Sequence, residues 1–380
     1  MITKRGLVLG ATATMVATVV VTGVGLHMSR SQAFLKESPK DLIDEVWLIV
    51  DREYLDGTFN RADWQAVRDN YLNRSYADKE EAYTAIQEML ELLDDPYTRF
   101  LPPEDFKNLQ VDTQGELTGV GIQIALDEDT QQVVVVAPIE DTPAFEAGII
   151  ARDAIVAIDG SSTEGLELNQ VVSMIRGKPG TSVTLTMERN GERLEFEVTR
   201  ARIEIHPVRA RVESTDRGNL GYIRLNQFSA NAADEMREAI RELEREGIAG
   251  YVLDLRSNPG GLLFASIEIA RMWYDEGTIV STVNRRGISR QERANNSALT
   301  DKPLVVLVDG GSASASEILS GAIQDLDRGK LVGTQTFGKG LVQSVRRLGD
   351  GSGIAVTIAK YLTPNDRDIN KEGIVPDIVV

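Results

Sequence analysis

The chain has 380 residues, a length that favours two or more domains, and its composition, 42% hydrophobic and 26% charged, is typical of a folded protein. Its 58 acidic and 41 basic residues leave a net charge of −17, which argues against nucleic acid as a partner, because phosphate backbones are bound by Lys and Arg. The chain has no cysteine and only two histidines, His27 and His206, which excludes disulfides, thiolate nucleophiles and metal sites built from cysteine or several histidines.

The N-terminus reads as an export signal. A short basic start is followed by an uncharged run, Gly6–Leu26, which is typical of a signal peptide or signal anchor. Residues 7–26 are long enough to tether the protein to a membrane, and the small residues Ser31 and Ala33 are compatible with cleavage after Ala33, although the Ala-x-Ala form is missing. We therefore expect an exported protein with a leader at residues 1–33, and the sequence leaves open whether the leader is cleaved.

Residues 34–114 have helical periodicity. Apolar side chains recur at helical spacing in one stripe around Val46 and another around Ile86. Turn residues at Asp94–Tyr97 then interrupt the pattern. This region is predicted to be an N-terminal helical segment.

Residues 115–202 change to the alternation of short strands. Strands are predicted at Val120–Leu126, Gln132–Val136, Ala154–Ile158, Ser182–Arg189 and Leu194–Thr199, and a helix at Asn169–Ile175. Asn190 and Gly191 join the last two strands, and both tolerate the positive φ of a type I′ hairpin turn. The pattern predicts a small β-rich domain.

Residues 203–380 alternate strands with helices, which predicts an α/β layer with much parallel pairing. The predicted strands are Gly221–Leu225, Gly250–Leu255, Pro303–Val308 and Leu331–Val332, and the predicted helices are Ala232–Glu246, Leu263–Tyr274 and Ala315–Asp327. Because ligands bind at the carboxyl ends of such strands, the loops that follow them are the first places to look for chemistry.

Two of these loops are suited to an oxyanion hole. Asp254–Gly261 ends in paired glycines, and Gly310–Glu317 runs directly into a helix. Ser314 in the second loop has two interpretations. Ser314 and Glu317 match a helix capping box, which the local sequence alone favours, yet a serine at the positive end of a helix is also well placed for acyl transfer.

Lys339 lies in a glycine-rich segment, Gly333–Gly340, that nearly matches a nucleotide-binding P-loop. Gly340 stands where the P-loop needs a hydroxyl residue for magnesium, so a nucleotide site is disfavoured. Without further information, an exposed lysine in a glycine turn is the default interpretation.

From about Leu42 to the last residue, five motifs together resemble the carboxyl-terminal processing proteases, tail-specific Ser–Lys peptidases of bacteria and thylakoids. They are Gly221–Leu225, Asn258–Gly261, Gly311–Glu317, Thr336–Gly340 followed by Val342 and Gln343, and Gly373–Asp377. The resemblance implies an α/β protease body, with a mixed sheet, helices and a crotonase-like core, into which a β-rich PDZ domain is inserted. Residues 203–380 would form the protease core, and no cofactor is expected.

The resemblance also implies roles for single residues. Ser314 would be the nucleophile, Lys339 the general base, and Gln343 would orient the amine. The backbone amides of Gly260 and Ala315 would form the oxyanion hole. The pKa of Lys339 must then fall about three units from its usual 10.4, which burial against neighbours such as Phe337 would bring about.

The β-rich domain resembles a PDZ domain. The segment Gly119, Val120, Gly121 and Ile122 fits the loop whose amides bind a peptide C-terminus, while the tail adds as an extra strand. Free C-termini of protein substrates are therefore the expected partners. Arg176 is expected to couple this domain to the active site, or else to be an exposed residue at a helix end.

The resemblance places the protein in the periplasm or the thylakoid lumen. Two alternatives remain at this point: an inactive PDZ-bearing scaffold or chaperone, and a crotonase-like acyl hydrolase. The sequence does not identify the substrate or the oligomeric state, and it does not decide whether the PDZ domain activates or inhibits. It also leaves open whether Val380 is the native end.

Overall fold

The computed structural model describes residues 19–20, 38–127, 130–216 and 218–380. The chain divides into two units. Unit 2 is the continuous stretch Gly115–Ile205, and unit 1 combines the residues before it with His206–Val380.

Within the described ranges, no helix combines the length and the apolar character needed to cross a membrane. The predicted tether, residues 7–26, lies outside the described residues except for Val19–Val20.

The N-terminal part of unit 1 is mainly helical, as predicted. Its elements are β1 (Val19–Val20), α1 (Pro39–Glu53), a short 3-10 helix (Phe59–Arg61), α2 (Trp64–Asn73), α3 (Lys79–Glu91), β2 (Arg99–Leu101) and α4 (Pro103–Gln114). Ser38 starts α1, since its hydroxyl accepts from the Lys40 amide and its own amide donates to Asp41. The predicted stripes around Val46 and Ile86 are both buried in one core.

Unit 2 consists of short strands and two helices. Its elements are β3 (Glu116–Gly119), β4 (Ile122–Leu126), β5 (Val133–Pro138), α5 (Pro143–Glu146), β6 (Ala154–Ile158), β7 (Ser161–Ser162), α6 (Leu168–Ile175), β8 (Ser182–Arg189), β9 (Glu192–Thr199) and β10 (Ala201–Glu204). The main sheet has the order β4-β5-β6-β8-β9 with antiparallel neighbours, so β4 is one of its two edge strands. Asn190 and Gly191 have φ of 54° and 84°, the positive values that a type I′ turn requires.

The C-terminal part of unit 1 contains the predicted α/β layer. Its elements are β11 (Val208–Thr215), β12 (Gly218–Leu225), α7 (Ala232–Arg245), β13 (Gly250–Asp254), α8 (Leu263–Ala270), β14 (Thr278–Asn284), β15 (Gly287–Arg293), β16 (Leu304–Val308), α9 (Ala315–Asp325), β17 (Lys330–Gly333), β18 (Leu341–Arg347), β19 (Gly353–Leu362) and β20 (Ile378–Val379). The sheet β11-β12-β13-β16-β17-β20 is parallel from β12 onwards. Helix α8 ends at Ala270 rather than at the predicted Tyr274, because the amides of Met272 and Trp273 bond three residues back in tight turns.

A second, antiparallel sheet completes unit 1. It has the order β18-β19-β14-β15, with β2 also on β19 and β1 parallel to β18. One core joins the two sheets and the three helices of this region, with buried members Met236, Leu253, Ile269, Leu319 and Tyr361. Burial of such side chains contributes about 25 cal/mol per Å² of apolar surface.

The parallel sheet brings three loops to one edge. Strands β13, β16 and β17 run in the same direction, so the loops after Asp254, Val308 and Gly333 all leave from their carboxyl ends. These are the loops that carry Asn258–Gly261, Ser314 and Lys339.

Candidate active site

Ser314 is the residue before α9, and its backbone is strained. Its φ is 58° and its ψ is −111°, a conformation that a residue with a side chain rarely adopts. The residue is buried, and its Oγ has no hydrogen-bond partner in the part of the chain that the structure describes. The Glu317 amide donates to the Ser314 carbonyl at 2.8 Å and not to Oγ. The Ser314 hydroxyl therefore does not cap the helix.

Glu317 joins the serine loop to the lysine loop. Its Oε2 accepts from the backbone amides of Ser314, at 2.8 Å, and Lys339, at 2.9 Å. Its Oε1 accepts from the Thr336 hydroxyl, at 2.6 Å, and the Gly338 amide, at 2.7 Å. Burial raises the pKa of Glu317, although these four hydrogen bonds oppose the rise. The half of the capping box that forms is the carboxylate half, and it fixes both loops.

Lys339 is buried rather than exposed in a turn. Only 3% of the residue is accessible, and burial, helped by the charge of Arg99, lowers the pKa of its amine to about 8. The amine lies 4.8 Å from the centre of the Tyr97 ring. Phe337, which we expected to help bury it, is 46% exposed, so that expectation is wrong. Instead, the Tyr97 ring in the turn before β2 and the charge of Arg99, the first residue of β2, act on the amine.

Gln343 lies in β18 and is fully buried. Its Nε2 donates to the Thr357 hydroxyl at 3.4 Å, and its Oε1 has no partner among the described residues. The Thr357 amide in turn donates to Thr98 Oγ1 at 3.0 Å. An unpaired buried carbonyl oxygen is a suitable acceptor for an ammonium group, so the predicted role of Gln343 stays a prediction with a chemical basis.

The glycine-rich loop after β13 packs directly against Ser314. Gly260 has φ of 100°, and a β-carbon there would lie 2.7 Å from the Ala313 carbonyl oxygen. Its amide donates to Asn258 Oδ1 at 2.9 Å, so it serves an oxyanion only if that bond is shared or lengthened. Ala315 is the first residue of α9, where an amide has no acceptor within its own helix. Both assignments to the oxyanion hole remain predictions.

Two carboxylates that the sequence did not single out support this loop. Asp254 is buried and pairs with Arg224, at 2.8 Å, and Arg256, at 2.7 Å. Burial by itself would raise the pKa of Asp254, but hydrogen bonds from Arg256 and other neighbours outweigh it and hold the pKa well below its usual range. Asp309 accepts from the Ser257 amide at 2.7 Å and so ties the two loops together.

In unit 2, the predicted peptide-binding residues span the junction of β3 and β4. Gly119 ends β3 and Ile122 begins β4. Gly121 has φ of 85°, and a β-carbon there would lie 2.2 Å from Thr142 Oγ1, so only glycine fits. The Val120 side chain is 1% exposed and belongs to the core. The edge position of β4 suits addition of a peptide strand.

Arg176 follows α6 and is partly buried. Its amide donates to the Val172 carbonyl. Nothing within unit 2 tests its proposed coupling role, which stays a prediction.

Comparison with known proteins identifies both units. Residues 219–380 match the model of peptidase family S41, and residues 119–199 match the PDZ domain model. The carboxyl-terminal-processing protease of Synechocystis sp. is 51% identical over 92% of this chain and 82% of its own length. The chloroplastic carboxyl-terminal-processing peptidase 2 of Arabidopsis thaliana is 41% identical over 88% of this chain and 67% of its own.

A solved structure has the same fold. The photosystem II D1 C-terminal processing protease superposes with a TM-score of 0.62 and 39% identity, covering 90% of this chain and 93% of that one. The predicted fold class, a mixed α/β protease body with a PDZ domain and an N-terminal helical segment, is confirmed. The protease names of these relatives favour a peptidase over a scaffold or a crotonase-like acyl hydrolase.

Proposed function

Because the chain belongs to the carboxyl-terminal-processing proteases of peptidase family S41, we propose that it cleaves exported proteins near their C-termini with Ser314 as nucleophile and Lys339 as general base. The observation that carries this assignment is the pair of buried groups held by one carboxylate. Ser314 Oγ is not used in any hydrogen bond among the described residues, Lys339 has a lowered pKa, and Glu317 binds the backbone of both.

The chemistry follows from the protonation state of Lys339. The neutral amine takes the proton of the Ser314 hydroxyl as Oγ bonds to the carbonyl carbon of the substrate. Backbone amides, for which Ala315 and Gly260 are the candidates, stabilise the negative oxygen. The ammonium of Lys339 then protonates the leaving amine, whose bond to carbon breaks, and an acyl-enzyme remains. Water then gives a proton to the neutral amine and bonds to the acyl carbon, and the bond from that carbon to Ser314 Oγ breaks as Oγ takes the proton back from Lys339.

Substrate selection is assigned to the PDZ domain. The loop from Gly119 to Ile122 would bind the free carboxylate of a substrate tail, which would add to the edge of β4. Similarity to a protein named for the D1 subunit of photosystem II makes the C-terminal tail of D1 a first substrate to test. We place the protein in the periplasm or the thylakoid lumen, with residues 7–26 as leader or tether.

Covalent labelling tests the assignment. A fluorophosphonate forms a stable bond to an activated serine, so treatment of the full chain followed by peptide mapping should find the adduct on Ser314. The same reaction should be much slower at pH 6 than at pH 8, because the Lys339 amine is protonated at pH 6. An adduct on another serine, or none at either pH, would refute the proposed nucleophile.

A further inference from the structure

Five of the fourteen residues that line a cleft in unit 1 are arginines. Its volume is about 480 Å³, within the range of peptide and ligand pockets. The arginines come from the end of α1, from the β14–β15 hairpin and from β18, and they are Arg52, Arg285, Arg286, Arg290 and Arg346. Only two carboxylates, Glu53 and Glu292, line the same cleft, so its lining carries an excess of three positive charges.

Among the residues that the structure describes, neighbouring carboxylates pair with only part of this charge. Arg346 pairs with Glu53, and Arg290 pairs with Glu292. The guanidinium of Arg285 donates to the backbone carbonyls of Asp51 and Arg52, which are neutral groups.

The remaining two cations face solvent. The side chains of Arg52 and Arg286 are exposed, and within the described ranges neither guanidinium has a hydrogen-bonded or ionic partner. In a protein with a net charge of −17, this concentration of positive charge is a local exception.

The cleft adjoins the elements that carry the active site. Its floor is apolar and includes Leu263, Val342 and Ile358. Val342 and Ser344, which also lines the cleft, are the immediate neighbours of Gln343 in β18, and Leu263 begins the helix after the Gly260 loop.

Resting on the proposed protease function, we propose that this cleft binds an acidic, extended segment of the protein substrate outside its C-terminal tail. Glutamate or aspartate side chains would pair with Arg52 and Arg286, while an apolar residue covers the floor. Because the chain as a whole carries a net charge of −17, this cleft would fix the register in which an acidic substrate binds. Charge complementarity between these arginines and an acidic segment favours this occupant.

Peptides with matched charge test the proposal. The fluorescent peptides all have the same free C-terminus and are made in pairs. One member of each pair carries three consecutive glutamates and the other three glutamines at the same place, and this triplet is moved stepwise along the peptide from pair to pair. Binding to the full chain with Ser314→Ala is measured by anisotropy at low salt, and cleavage is measured with the wild type. At one register the glutamate peptide should bind about tenfold tighter than its glutamine partner, and the preference should fall as salt rises.

Two charge-matched double variants locate the effect. R52Q/R286Q should bring the glutamate-to-glutamine ratio to about 1, whereas R241Q/R245Q, which removes two exposed arginines of α7, should leave the ratio unchanged. No preference at any register, or a preference that survives R52Q/R286Q, overturns the proposal. Binding to phosphatidylglycerol vesicles that needs Arg52 and Arg286, without a peptide preference, also overturns it in favour of a membrane surface.

The protease assignment can fail separately. If the Ser314→Ala protein shows the charge preference but the wild type cleaves neither peptide nor any protein tail, the proposed binding in the cleft is supported and the proposed protease activity is refuted.

Discussion

The backbone of Gly260 lies so close to Ser314 that a β-carbon on Gly260 would come within 2.9 Å of the Ser314 β-carbon. Real β-carbons do not approach this closely, so any side chain here must displace the loop that presents the hydroxyl. The contact brings the two loops together in space although Gly260 and Ser314 are 54 positions apart in the sequence.

Gly260→Ala should therefore abolish activity. We expect kcat/KM to fall by about 100-fold or more, because an ångström of misplacement at a reacting group is that costly. Gly351→Ala is the matched control. Gly351 has a similar φ of 94°, but a β-carbon added there would have no atom within 4 Å. Both variants lose about 1 kcal/mol to backbone strain. Equal activities of the two variants would show that the Gly260 contact is unimportant.

Ser314→Ala should remove activity by about 10⁴-fold or more without loss of stability, because Oγ makes no hydrogen bond among the described residues. The flanking serines should behave in the opposite way. Ser312 donates to the Leu255 carbonyl at 2.8 Å and Ser316 to the Asn258 carbonyl at 2.9 Å, so their alanine variants lose about 1 kcal/mol of unfolding free energy. Urea unfolding and peptidase assays separate the two classes, and a mild Ser314→Ala would displace the nucleophile assignment.

Lys339 should set the pH dependence of the reaction. With an amine pKa of about 8, kcat/KM should rise about tenfold per unit up to pH 8 and then level off. The folded pKa lies below the reference value of 10.5, so the lysine lowers the free energy of unfolding. This effect is largest, and constant, below pH 8, and it disappears as the pH rises from 8 to 10.5. Lys339→Met should thus be inactive yet gain up to about 3 kcal/mol at pH 7. An active Lys339→Met protein contradicts the base assignment, whatever its stability.

Glu317→Gln should cost both activity and stability. Whichever oxygen becomes an amide NH₂ group faces a backbone amide, from Gly338 on one side or from Ser314 and Lys339 on the other, and two donors repel. We expect a loss of about 2–4 kcal/mol and of 100-fold in kcat/KM. Glu242→Gln, on the exposed side of α7, is the control for loss of one charge. A Glu317→Gln enzyme with wild-type turnover would mean that the carboxylate does not position the loops.

A free C-terminus should be required for efficient cleavage. Amidation of the substrate tail removes the charge that the loop from Gly119 to Ile122 would bind, and kcat/KM should fall by about tenfold or more. Gly121→Ala, whose β-carbon meets Thr142, should reduce the ratio of acid to amide rates towards 1. Gly165→Ala also has positive φ but meets no atom within 4 Å, and it should preserve the ratio. Equal rates for both tails with the intact enzyme would assign another role to the PDZ domain.

The local sequence predicted the helices and strands whose own hydrophobic periodicity indicates them. The strands β6 and β8 have the predicted bounds, and the parallel order follows from alternation of strands and helices. The antiparallel strands β14, β15, β18 and β19 were not predicted. Residues of β19 are buried on both faces and β18 holds the buried polar Gln343, so neither shows the alternation that indicates a strand.

The surroundings of Ser314 and Lys339 were also not predicted from the sequence. Ser314 and Lys339 were found through family motifs, but Tyr97 and Arg99 lie about 240 positions before the lysine, and no local pattern connects them. The role of Glu317 was predicted only as part of a helix cap. Its actual contacts need the fold, because they join α9 to a loop beyond the next strand.

Strand β2 pairs with β19, and the Thr357 amide donates to a Thr98 hydroxyl 259 positions away. The first part of the body therefore cannot finish folding until nearly the whole chain has been synthesised. The surroundings of Lys339 depend on the same pairing with β19, since Tyr97 lies just before β2 and Arg99 is the first residue of β2. A partly synthesised chain that lacks β19 would therefore also lack this arrangement around Lys339.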